Sequence, residues 1–114
     1  MKLPARLALM MLISLTVACG SARRGEPFTR AVVPANAQLA RGEQVFYEHC
    51  HKCHTGGEAG LGPALNNKPL PAFMLRMQVR AGLGVMPSFS DEQIADQDLD
   101  ALVAYLKELR QRDL

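Results

Sequence analysis

The run Cys50-His51-Lys52-Cys53-His54 constrains this chain more than any other feature. The spacing C-x-x-C-H reads as covalent attachment of a c-type haem. Each thiol can form a thioether to one vinyl group of the same porphyrin. The histidine that directly follows the second cysteine is then carried under the ring, with an imidazole nitrogen aimed at the iron. A redox dithiol would ask for a βαβ setting, and a structural zinc site for further ligands. The third cysteine, Cys19, lies far from the motif, and only His49 and His51 are left as other histidines, so no second pair exists to complete a zinc site.

The chain has 114 residues, enough for one small domain. A domain of this size is marginal unless something reinforces it. A covalently held, largely buried haem would act as a large apolar core element. It would also bind the native state alone, so folding and haem attachment are expected to be coupled. The absence of Trp fits a core whose centre is a porphyrin.

The beginning of the chain reads differently. Lys2 and Arg6 precede an apolar run from Leu7 to Ala18 that is broken only by Ser14 and Thr16. The run is too short to span a bilayer and suits an export signal. The stretch Leu15-Thr16-Val17-Ala18-Cys19 resembles a bacterial lipoprotein signal, with Thr16 where leucine is usual. On that reading Cys19 is lipidated and becomes the first mature residue. The alternative is ordinary cleavage near Ala22 and release as a soluble protein on the periplasmic side. Lipidation is preferred because it accounts for the odd cysteine.

Residues 20 to 36 hold Gly25, Pro27 and Pro34 with little periodicity and read as a flexible tether. The chain thus divides into an export signal over 1–18, a tether over 19–36 and a haem domain over 37–114. Losing Lys2 and Arg6 takes the 13 basic residues to 11, equal to the 11 acidic ones. The mature protein is near neutral and has no basic stripe, so nucleic acid is not an expected partner. Arg23-Arg24 follows the apolar run, which is the wrong order for a twin-arginine export signal.

The domain reads as all-α, with no strand pattern. A first helix is expected from about Ala37 to Cys50, with Asn36 as N-cap and Leu39, Gly42, Phe46 and Cys50 on one face. A helical glycine costs about 1 kcal/mol against alanine, so Gly42 implies the close approach of another helix. A glycine-rich loop follows from Thr55 to Lys68. Pro69 and Pro71 open a second helix that reaches about Ala81, and Gly82 is placed to end it in a left-handed conformation. Ser90 and Gln93 form a capping-box pattern for one short turn. The last helix starts near Asp96 to Asp98 and runs to about Arg112, with Leu99, Leu102, Val103, Leu106 and Leu109 as its buried stripe. Asp96, Asp98 and Asp100 read as a solvated capping cluster that favours the helix dipole.

A second axial ligand would largely decide the chemistry of the iron. Met74 and Met77 fall on a helix, where methionine is usually core filler. His51 lies inside the motif and cannot reach the far face of the ring, and His49 is expected to face solvent. Met86 sits in a glycine-proline loop 32 residues after His54, far enough to wrap to the opposite face. Met86 is therefore the expected second ligand, with loop packing as its alternative role. Arg76 and Arg80, four apart on one helical face, could neutralise haem propionates or simply face solvent.

From about Gln38 to Leu109 the chain resembles a bacterial class I cytochrome c. The shared residues are Gly42 and Phe46, the Cys50–His54 motif, Gly62-Pro63, Gly84-Val85-Met86-Pro87 and Leu102-Val103-Ala104-Tyr105-Leu106. The resemblance implies a cytochrome c fold of three to four helices wrapped around one covalent haem c, with the first and last helices packed together. It implies that Gly42 and Phe46 meet the Tyr105 region. It also implies that the Pro63 carbonyl accepts a hydrogen bond from the other nitrogen of His54, which fixes the ring and raises its basicity.

With His54 and Met86 both bound, the iron has no open position, and one-electron transfer is the expected function. Donors would be a dehydrogenase or quinol-oxidising complex, and acceptors an oxidase or reductase. A lipid on Cys19 would hold this exchange at a membrane surface. The chief alternative is a dedicated haem subunit of a multi-subunit oxidoreductase. A third reading, a ligand-binding or peroxidase-like haem protein, requires Met86 to be absent or labile.

Overall fold

The computed structural model describes residues 32–111. The expected export signal, Cys19 and the expected tether up to residue 31 lie outside the described residues. The end of the tether is corrected: Val32 is only 7% exposed and belongs to the hydrophobic core, so the folded unit starts before Ala37. Among the described residues there are three α-helices and one short 3₁₀ turn: α1 (Ala37–His49), the turn Thr55–Gly57, α2 (Ala72–Ala81) and α3 (Asp96–Gln111). The all-α expectation holds, with a single isolated bridge between Leu83 and Met86 as the sole β pairing there.

The helix α1 begins where Asn36, in extended conformation, accepts a hydrogen bond through its side chain from the Leu39 amide at 2.9 Å. Such a cap is worth about 1 kcal/mol over alanine. Its inward face is Gly42, Val45 and Phe46. Gly82, with φ +70°, ends α2, and its amide donates to the Gln78 carbonyl at 2.8 Å. All five residues of the expected α3 stripe are buried, together with Ala101 and Tyr105.

The main helix contact is α1 against α3. Gly42 makes it possible. A methyl group there would overlap the Ala101 carbonyl oxygen and come within 2.8 Å of Tyr105 Cβ. Phe46, fully buried, lies with its ring centroid 5.4 Å from that of Tyr105. The expected role of Gly42 and Phe46 is borne out.

The aspartates at the start of α3 do more than cap it. Asp98 takes a two-point grip from Arg41 of α1, both contacts at 2.7 Å. Asp100 pairs with Arg76 of α2, and Asp96 with Arg80 of α2 at 2.8 Å. One helical turn thus ties α3 to both other helices. The reading of these residues as a merely solvated cluster is corrected.

Candidate functional site

After α1 the chain keeps turning. The amides of Cys53 and His54 both donate to the Cys50 carbonyl, at 3.1 and 2.9 Å, so the motif forms one compact turn. This turn sets Cys50, Cys53 and His54 along one wall of a cavity of about 1320 Å³, its open mouth included. Pro63 and Met86 line the same cavity. Its other walls are largely apolar, with Leu75 and Val79 from α2, Leu102 and Leu106 from α3, and leucines of the connecting loops.

His54 is buried, and its Nδ1 lies 2.7 Å from the Pro63 carbonyl oxygen. A carbonyl can only accept, so Nδ1 carries a proton, and in the neutral ring this leaves Nε2 with its lone pair. Gly62 is packed against this ring: a methyl group there would overlap Cε1 and come within 2.8 Å of Nδ1. The Gly62 amide in turn donates to the Cys53 carbonyl at 2.9 Å, closing the cradle back onto the motif. Cys50 and Cys53 form no disulfide. Burial, with Cys53 as a near neighbour, pushes the Cys50 thiol up to about 12. It is therefore fully protonated at neutral pH.

Met86 is half-buried and packs against the core. Its amide donates to the Leu83 carbonyl at 3.0 Å, and its carbonyl accepts from the Leu83 amide at 3.2 Å. Neither Met74 nor Met77 lines the cavity, and Met77 is 59% exposed, so its assignment as core filler is corrected. His49 is also corrected. It is half-buried at the cavity wall, its ring 5.7 Å from that of Phe89. Its place three residues after Phe46 on α1 was the available signal. His51 accepts from the Gly56 amide at 3.0 Å and stacks on Tyr47. Sequence reasoning missed three polar residues at the cavity wall, Lys68, Gln78 and Arg110. Arg110 donates to the carbonyls of Lys68 and Leu70 at 2.5 and 2.8 Å.

These residues fit a haem. Two thiols sit at one side of an apolar cavity beside an imidazole whose Nε2 is free to bind a metal. Among the described residues, no three His, Cys, Asp or Glu side chains converge as a metal-ion cluster, so a zinc site has no support. The family model described as "Cytochrome C oxidase, cbb3-type, subunit III" matches residues 37–106. The chain belongs to this family, the mono-haem class I cytochromes c.

This cytochrome is 32% identical over 75 residues to the cytochrome c subunit of 4-cresol dehydrogenase (hydroxylating) from Pseudomonas putida, a match covering 66% of each chain. It is 33% identical over 78 residues to cytochrome c6 of Bryopsis maxima, covering 60% of this chain and 88% of that one. It is 34% identical over 87 residues to cytochrome c6 of Cyanidium caldarium, covering 69% and 78%. No solved structure gives a significant match. The cytochrome carries one covalently bound haem c and is an electron-transfer protein, as the motif implied.

Proposed function

We propose that this cytochrome is a coordinatively closed one-electron carrier working on the periplasmic side of a membrane. Cys50 and Cys53 hold the haem through thioethers, His54 and Met86 are its axial ligands, and Pro63 orients His54. When bound, the haem supplies a ferrous/ferric couple. The chain's own residues tune that couple. Pro63 fixes the imidazole tautomer and raises its basicity, and the apolar walls disfavour the more charged oxidation state. A thioether ligand acts in the same direction, towards a higher potential.

The observation that carries the reading is a single cavity lined by two thiols, the oriented imidazole and the Met86 loop. The ferric protein should therefore show the weak near-infrared methionine–iron band near neutral pH, and the ferrous protein should bind carbon monoxide poorly. Met86→Ala should abolish the band, lower the potential and open the iron to carbon monoxide. A wild-type protein without the band that binds carbon monoxide readily would instead be the ligand-binding or peroxidase-like haem protein.

A second reading is favoured by the likeness to a dehydrogenase cytochrome subunit: this chain would be the resident haem subunit of an oxidoreductase. Purification in mild detergent separates the two, since a stable stoichiometric complex means a subunit. In either case the partners are redox proteins, with a dehydrogenase or quinol-oxidising complex as donor and an oxidase or reductase as acceptor. The proposed organisation is an export signal over 1–18, a tether from 19, and lipid on Cys19 that holds the protein at the membrane surface. Mass spectrometry of the mature protein would reveal diacylglycerol on Cys19, or else cleavage near Ala22.

A further inference from the structure

In the Met86 loop, Leu83 and Val85 line the cavity, and Met86 and Phe89 pack against the core. Polar contacts add to this apolar packing on both sides of Met86. On the near side Gly82 lets the chain fold back on itself: a methyl group there would lie 2.6 Å from the Met86 carbonyl oxygen and 2.8 Å from the Ser88 amide nitrogen. On the far side the Phe89 amide donates to the Val79 carbonyl at 3.0 Å.

Most of the far-side fixing comes from one side chain. Arg80 donates to the carbonyls of Phe89, Ser90 and Ile94 at 3.2, 3.1 and 2.7 Å. It also pairs with Asp96 at 2.8 Å and Asp91 at 3.1 Å. A guanidinium presents five donors in a fixed fork, which suits several acceptors at once. These acceptors lie on the segment that returns from Met86 to α3 and on Asp96, the first residue of α3. Arg80 is thereby engaged by protein acceptors, where its spacing leaves a propionate partner and a solvent-facing role as the two alternatives.

We propose that Arg80 is a positioning residue that clamps the segment after Met86, and so keeps the Met86 sulfur on the iron. The proposal rests on Met86 being the second ligand. Without the clamp, the loop would detach while the α1–α3 crossing stays packed, because that crossing rests on Gly42, Phe46, Ala101 and Tyr105, none of which touches Arg80. An external ligand would then bind more tightly in proportion to the detached fraction.

The test uses the intact ferric holoprotein titrated with imidazole. Arg80→Gln should bind imidazole at least ~10-fold more tightly than wild type. Its near-infrared band should fade at urea concentrations where helical circular dichroism is unchanged. Arg80→Lys, which keeps the charge but not the fork, should retain most of the gain, and Asp96→Asn, which keeps the carbonyl contacts, should change affinity less than ~2-fold. Arg76→Gln, on the same helix but off the loop, should behave as wild type. If Arg80→Gln leaves imidazole affinity unchanged while the wild-type band is present, the clamp is wrong and Met86 stands. If the band and the helices are lost together, Arg80 is only a general stabiliser. Full recovery in Arg80→Lys, or an equal effect in Asp96→Asn, would reduce the clamp to a simple ion pair and overturn it. A wild type without the band removes Met86 as ligand, and the clamp with it.

Discussion

The two sides of the cavity are secured by different physics. On the attachment side, the Cys50–His54 turn grows directly out of α1, whose Phe46 is buried against Tyr105 of α3. On the Met86 side, a loop whose Leu83 and Val85 line the cavity is tied down by backbone hydrogen bonds and Arg80, with Met86 and Phe89 packed against the core. The first side is held by close-packed burial that a local change cannot release piecemeal. The second relies in part on a few directional contacts, and it can open on its own. A closed haem iron needs both, and the second is where it would first fail.

Gly42→Val should have the largest effect, since it strikes the packed side. The new side chain would meet the Ala101 backbone, which cannot turn aside as a flexible side chain could. Overpacking costs about 1–3 kcal/mol even where neighbours can shift, and urea unfolding should show at least that loss. A smaller loss would mean that the crossing is looser than its geometry implies.

Gly62→Ala should come next and act locally. It pushes on the His54 ring without touching the helix crossing. The helical content should survive while the spectrum of the ferric holoprotein turns high-spin. If unfolding and spectral change arrive together, the two sides are less separable than proposed.

The smallest effect should come from Asp98→Asn, at the surface tie between α1 and α3. The hydrogen bond from Arg41 holds the Asp98 carboxyl below its ordinary value. The contribution of this pair is therefore present above the unfolded carboxyl value, about 3.9, and is lost as pH falls through the lower folded one. In acid titrations of stability the variant should lose part of the low-pH slope and change little near neutrality. An unchanged slope would leave Arg41 with no measurable role, as for many surface pairs.

What the sequence disclosed follows from how local each signal is. The motif is contiguous, the α3 stripe is periodic, and the glycine at 42 announces a crossing, so all three were legible. The Arg41–Asp98, Arg76–Asp100 and Arg80–Asp96 pairs were not, because they join positions 57, 24 and 16 residues apart. No local pattern says which arginine meets which aspartate. Val32 was missed for a related reason: it joins the core across a proline-containing stretch with no helical period. Met77 was misjudged because residue type was weighed above its position on an exposed face of α2.

The packing of the first helix against the last has a consequence for the newly made chain. A polypeptide leaves its point of synthesis from the N-terminus, so α1 and the Cys50–His54 turn emerge well before their partner α3 exists. Burial that raises the Cys50 thiol to about 12 is not yet in force during that interval. Both cysteines are then ordinary, accessible thiols, open to attachment chemistry and equally to unwanted oxidation. When α3 arrives and the core that Cys50 packs against closes, burial makes its thiol harder to ionise. Attachment before the last helix packs would therefore meet Cys50 in its more easily ionised state.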